Sequence, residues 1–244
     1  MKKTALIVVD LQEDFLPPNG SLAIKNGRSV IPKINQLLPS QDNHSKFDWS
    51  LIVATQDWHP PNHTSFASQH ENVAPFTEIE FIHPEKKLDP KTNQPIVMNQ
   101  IVWPDHCVQG TKGAQLEPLF ANQFEKLTKQ DDNNTAPCKI VKKGYLPDRE
   151  YYSCFQDCWG LHHTELIDLL HEYDIENVVF VGLAYDFCVL RSAIDSAKNG
   201  FKTFVLKNYC ESVYPEKIND TDKLYIDNGV TIVDNDEKFD SLFK

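Results

Sequence analysis

The sequence predicts an α/β protein of three layers, αβα, in which a mainly parallel central sheet lies between helices. Three observations predict it. Short apolar, β-branched runs recur along the chain, as strands buried on both faces require. Segments with apolar residues at helical spacing lie between them. The two kinds alternate, which favours parallel strands joined by helical crossovers. At 244 residues the chain is expected to form one domain, 1–244, with a sizeable core.

The first strand is Ala5-Leu6-Ile7-Val8-Val9, which ends at Asp10 and the acceptor-rich Leu11-Gln12-Glu13-Asp14-Phe15. A helix is predicted over Ser29–Leu38, then a second buried strand, Leu51–Thr55, ending in Gln56-Asp57-Trp58-His59. From Trp58 to Gln109 the chain is rich in Pro, Asn and His and reads as irregular, a pattern that in compact domains marks functional or mobile segments. A helix is expected over Ala114–Phe124, an exposed polar insertion over Gln130–Pro137, and a weaker strand over Lys139–Lys142, leading into Lys143-Gly144. The helix His163–Tyr173 precedes the third strong strand, Asn177–Gly182, and the helix Val189–Asn199 follows it, with Gly200 as its C-cap. Weaker strands at Thr203–Leu206 and Val230–Val233 flank a last helix, Glu216–Asn228.

In open parallel sheets ligands bind beyond the carboxyl ends of the strands. Asp10, Asp57 and the turn Ala184-Tyr185-Asp186-Phe187-Cys188 all fall there. Cys188 sits where a buried strand becomes a helix, so unpaired N–H groups and the helix dipole are expected to favour a thiolate and to cradle an oxyanion. The plain alternative is a buried, inert thiol. Asp10, desolvated beside that thiol, could accept and return its proton, and a lysine from Lys142-Lys143 would favour the thiolate. Asp57-Trp58-His59, with His106 from Trp103-Pro104-Asp105-His106-Cys107, offers one carboxylate and two imidazoles, a donor set suited to zinc or another divalent ion. His63 and His70 lie nearby. A rival set, Cys154, Cys158, His162 and His163, departs from the spacing of structural zinc sites.

Taken together, these residues resemble the nicotinamidase branch of the isochorismatase-like cysteine hydrolases. The resemblance runs from about Thr4 to Val233 through Val9–Phe15, Thr55–Pro60, Trp103–Val108, Lys143-Gly144 and Gly182–Val189, in matching order. Lys143–Ser153 is most similar to the fungal type. The resemblance implies a Rossmann-like fold and a catalytic triad of Asp10, Lys143 and Cys188. It also implies zinc or another divalent metal on Asp57, His59 and His106, within an irregular metal-binding region at about 57–110. It places a cis peptide at Leu183–Ala184, an oxyanion hole at the Ala184 and Cys188 N–H groups, and Phe15, Trp103 and Tyr145 around the ring pocket. The implied reaction is hydrolysis of nicotinamide to nicotinate and ammonia, with pyrazinamide as a second substrate, in NAD salvage. Two rivals are a metal-free relative acting on isochorismate, a ureido acid or an N-carbamoyl compound, and a zinc-bearing interaction module in which Cys188 merely packs.

The bulk properties narrow the partners. A net charge of −11 opposes binding to nucleic acid or anionic lipid. Asp10 interrupts the apolar run behind Lys2-Lys3 too early for a signal peptide, and no stretch is long enough to span a bilayer. Six scattered cysteines in a chain that needs no stapling point to a reduced intracellular, cytoplasmic setting. The terminal Ser241-Leu242-Phe243-Lys244 is not the peroxisomal tripeptide; nucleus, peroxisome and a homo-oligomeric state are left open by the sequence.

Overall fold

Six parallel strands build the central sheet of the computed structural model, which describes residues 2–39, 47–129, 136–235 and 238. The strands are β1 (Thr4–Val9), β2 (Leu51–Asp57), β5 (Cys138–Lys143), β6 (Asn177–Leu183), β7 (Lys202–Glu211) and β8 (Thr231–Val233). Their order across the sheet is β5-β2-β1-β6-β7-β8. The chain winds outward from β1 in one direction and from β6 in the other, the doubly wound pattern whose crevice opens where the order reverses. Asp10 follows β1 and Cys188 follows β6, so both lie at that crevice.

The core shows why the strands read as continuous apolar runs. Leu6 and Val8 pack on one face with Ile52, Ala54, Val179 and Val181, under Ile34 of α1 (Ile31–Leu37) and Phe120 of α2 (Pro118–Thr128). Ala5, Ile7 and Val9 pack on the other with Val53, Val178 and Phe180. That face is covered by Leu166 of α3 (Leu166–Glu172), Val189 of α4 (Cys188–Lys198) and Tyr225 of α5 (Ile218–Asp227). Successive side chains point to opposite faces and both faces are covered, which gives the three layers predicted. Gly200 ends α4 at φ 91° as expected, its N–H on the Ala197 carbonyl at 3.0 Å.

Two expectations are corrected. The segment read as irregular contains an antiparallel hairpin, β3 (Thr77–Ile82) with β4 (Val97–Val102), in which Ile79 faces Gln100 and Phe81 faces Met98. Only Phe81 of β3 is fully buried, so the hairpin carries too little apolar signal to stand out. The helix expected over Ala114–Phe124 starts instead at Pro118, because Pro fixes the first helical turn and the Glu117 carboxylate caps it by accepting from the Phe120 N–H at 2.9 Å. Residues 130–135 of the polar insertion and the terminal 241–244 lie outside the described residues. No helix among the described residues is long and apolar enough to cross a membrane.

Candidate active site

Four strand ends meet at one ammonium. Lys143, the last residue of β5, pairs in register with Asp57, the last of β2, and its side chain is completely buried. Its Nζ lies 2.9 Å from Asp10 Oδ2, 2.5 Å from Asp57 Oδ1 and 3.4 Å from Cys188 Sγ, and donates to the Tyr151 carbonyl at 3.0 Å. The approach to Asp10 is an ion pair rather than a directed hydrogen bond, since Oδ2 has no hydrogen-bond partner among the described residues. Burial alone would strip the lysine of its proton, but Asp10 and Asp57 hold its pKa well above the ordinary value. Asp10 is fixed from its other oxygen, Oδ1 accepting from Thr55 Oγ1 at 2.6 Å. Burial raises the Asp10 carboxyl against the pull of Lys143.

Cys188 departs from its expected ionisation. Burial pushes the thiol well above its usual pKa; Lys143 counters this, and Asp10 and Asp57 add to it. Burial beside two carboxylates thus favours the neutral thiol, so a nucleophilic sulfur calls for an acceptor of its proton. Asp10 and Cys188 are within 4.8 Å of each other by their functional atoms. The turn ahead of it contains the cis peptide Leu183–Ala184. The Ala184 and Cys188 N–H groups donate to no described residue, while the Ala184 carbonyl accepts from Phe187 and Val189 at 3.1 Å each.

The second cluster shares Asp57. His59 Nε2 is 3.6 Å and His106 Nε2 4.0 Å from Asp57 Oδ2. Each imidazole uses Nδ1 for a backbone carbonyl, His59 to Gly144 at 2.8 Å and His106 to Pro104 at 2.7 Å. Those bonds place a proton on Nδ1 and turn both Nε2 atoms toward the carboxylate; burial opposes the charged form of His59, but the facing Asp57 raises its pKa. His59 Nε2 is buried without a partner, so a cation is what this donor set fits. His63 is turned away from it: its ring lies tilted against that of His59 at 4.0 Å, but Nδ1 meets Ser65 Oγ at 2.7 Å and Nε2 the Arg149 carbonyl at 2.9 Å. Burial opposes ionisation of Asp57, yet Lys143 and His59 hold its carboxyl far below the usual range. Burial and the neighbouring His59 lower His106 to about 4. A second acidic grouping, Asp10, Asp57 and Cys188, already has Lys143 at its centre. The set Cys154, Cys158, His162 and His163 forms no metal-ligating group among the described residues.

A narrow cavity joins the two clusters. Its polar end is Asp57, His106, Glu150 and Cys188, and its walls include Phe15, Trp103, Tyr152 and Phe187. Phe15 and Trp103, expected around the ring pocket, both line this cavity. Tyr145 does not line this cavity: Gly144, at φ 70°, turns the chain directly after Lys143, and Tyr145 stacks on Tyr151 at 6.2 Å with its hydroxyl 3.4 Å from His162 Nε2. Tyr152 supplies that wall instead, its hydroxyl accepting from Trp103 Nε1 at 3.0 Å.

Sequence reasoning also missed the supports. Gln12 clamps Asp57 by accepting from its N–H at 2.8 Å and donating to its carbonyl at 2.8 Å. Asp14 accepts from the Cys107 N–H at 2.7 Å, next to His106. The crowd of acceptors after Asp10 was their only signal. Glu150 is buried at the cavity's polar end, its carboxyl raised by burial against the pull of His59. Nothing local distinguishes it from a surface acid.

Residues 4–237 match the isochorismatase domain. The chain belongs to the isochorismatase family. Within this family it is 38% identical to the nicotinamidase of Saccharomyces cerevisiae over 231 residues, covering 94% of this chain and 98% of that protein. The structure of the yeast nicotinamidase bound to the inhibitor nicotinaldehyde superposes with a TM-score of 0.82 at 35% identity, over 95% of this chain and all (100%) of the other. The Pyrococcus horikoshii pyrazinamidase in complex with zinc superposes with a TM-score of 0.63 at 28% identity, over 96% of this chain and 99% of that one.

Proposed function

We propose that the protein is a nicotinamide amidohydrolase that forms nicotinate and ammonia, accepts pyrazinamide as well, and uses Cys188 as its nucleophile. The observation that carries the reading is Lys143 Nζ within reach of Asp10, Asp57 and Cys188 beside a cavity with aromatic walls. Nicotinamidase relatives at 35–38% identity support the reaction. The single domain, 1–244, is part of the same reading, with 57–110 as its metal-binding region.

Asp10 takes the thiol proton as Cys188 Sγ attacks the carboxamide carbon. The carbonyl oxygen becomes an oxyanion, for which the Ala184 and Cys188 N–H groups are free. Return of the proton from Asp10 to the amide nitrogen breaks the C–N bond and releases ammonia, leaving a thioester. Asp10 then draws a proton from water as the water oxygen attacks the thioester carbon, and passes that proton to the sulfur as the C–S bond breaks and nicotinate leaves. Lys143 stays charged throughout, holds Asp57 ionised, and favours the carboxylate form of Asp10 between its proton transfers. Asp57, His59 and His106 would hold zinc or another divalent ion, whose chemistry there is that of a Lewis acid able to anchor a pyridine nitrogen. Trp103, Phe15, Tyr152 and Phe187 sandwich the flat ring and exclude water.

An ammonia-release assay with nicotinamide tests this. Wild-type turnover that disappears in Cys188→Ala is expected; turnover that survives in Cys188→Ala refutes the nucleophile. Benzamide, which lacks the ring nitrogen, is expected to be a poor substrate, and equal turnover of the two amides refutes the anchor.

A further inference from the structure

Tyr152 and Phe187 each have a second side. Behind the catalytic cavity they line a larger cleft, of about 440 Å³, between the β3–β4 hairpin and α4. Met98, Ile101 and Ile194 extend the apolar floor. Gln100 lies at its edge, only 6% exposed, and its Oε1 has no hydrogen-bond partner among the described residues. Its Nε2 meets nothing better than Met98 Sδ, at 3.1 Å. A buried amide oxygen in this state demands a donor.

The acids of the cleft are already occupied. Asp157 accepts from the N–H groups of Trp159, Leu161 and His162. Asp195 accepts from Gln156 Nε2 and Glu78 from Asn99 Nδ2. Left to a ligand are the Gln100 oxygen, the Ser153 hydroxyl proton, and the Arg191 guanidinium and Lys198 ammonium, neither of which has a hydrogen-bonding or ion-pair partner among the described residues. One buried acceptor, three donor side chains and two aromatic faces suit a flat, nitrogen-bearing ring with an amino group better than a lipid chain.

We propose that this cleft is a second binding site, for a planar heteroaromatic ligand whose exocyclic N–H bonds Gln100 Oε1 and whose ring packs on Tyr152 and Phe187. Two sources carry that chemistry: an aromatic carboxamide, as a second molecule of the substrate class, and the adenine of a nucleoside. The site does not depend on the hydrolase reading; only its effect on turnover does. Because the same two rings wall the catalytic cavity, filling the outer cleft is expected to change the KM for nicotinamide.

The test titrates nicotinamide and, separately, adenosine into full-length Cys188→Ala protein by calorimetry, with and without Gln100→Leu. At least one probe should bind a site whose Kd rises tenfold or more in Gln100→Leu. The melting temperature should not fall, since leucine removes a buried amide that lacks a partner. Arg191→Leu, on the exposed side of α4, should weaken the same site at least threefold and guards against a folding failure of the first variant. Sensitivity of nicotinamide binding identifies the carboxamide source, and of adenosine binding the nucleoside. In wild type the Gln100-dependent probe, if adenosine, should shift KM, and in Gln100→Leu it should not. Binding of both probes unchanged by either substitution overturns the proposal. Absence of amide hydrolysis with Gln100-dependent binding intact would instead remove the hydrolase reading alone.

Discussion

Replacing Gly144 with alanine separates two roles that meet at one residue. A Cβ there would lie 2.3 Å from His59 Cε1 and 2.5 Å from Nδ1, on a backbone at φ +70°. The imidazole has no room to yield, being buried between His63 at 4.0 Å and Phe66 at 5.6 Å. The left-handed backbone alone costs an L-residue about 1–2 kcal/mol. Losing the bond from His59 Nδ1 to the Gly144 carbonyl adds about 0.5–1.5 kcal/mol. The sum, roughly 1.5–3.5 kcal/mol, corresponds in a chain of this size to a fall in Tm of roughly 3–14 °C. Misplacing a ligand imidazole also costs about 10–100-fold in metal affinity. Gly110 is the control: φ is +78° and nothing lies within 4 Å of its Cβ, so Gly110→Ala should show the backbone cost and no loss of zinc binding. The assays are thermal unfolding and competitive zinc titration against a chromogenic chelator. Gly144→Ala with the zinc affinity of wild type would refute the assignment of His59.

The other expectations follow from the same contacts. Lys143→Met leaves the Asp10 and Asp57 carboxylates facing each other in a buried site; destabilisation of about 3–5 kcal/mol in urea unfolding and loss of ammonia release are expected, and a stable, active variant would remove Lys143 from the account. Gln12→Ala orphans the Asp57 N–H and carbonyl, and should cost at least about 2 kcal/mol while lowering metal affinity; unchanged zinc binding would contradict the clamp. Thr55→Val removes the bond that fixes Asp10 Oδ1, and should lower kcat about tenfold or more with little change in KM, measured by steady-state ammonia release. Stripping divalent ions with a chelator should abolish turnover and readdition of zinc should restore it; full activity in the stripped protein would dissociate the Asp57, His59 and His106 cluster from the reaction.

The parts of the fold legible in the sequence were those held by burial on both sides. Thr4–Val9, Leu51–Asp57 and Asn177–Leu183 are entirely buried, so their composition carries the strand signal without help from the rest of the chain. The hairpin Thr77–Ile82 with Val97–Val102 is mostly solvent-facing and makes sense only as a pair, which a linear reading does not supply. The site divides in the same way. Asp10, Asp57, Lys143 and Cys188 each close a strand or begin a helix, and position alone marks them. Tyr145 and Tyr152 are both aromatic residues in one loop, and only the turn at Gly144 decides which reaches the cavity. For Cys188 the helix start and the lysine are visible in sequence, while burial beside two carboxylates, which raises the thiol's pKa, is not.

The most direct measurement is acid quench of the enzyme during turnover of nicotinamide, followed by peptide mass spectrometry. The mechanism predicts a nicotinoyl thioester on the peptide that contains Cys188, absent in Cys188→Ala. Steady ammonia release with no acyl group on Cys188, or with the group on another cysteine, would contradict it.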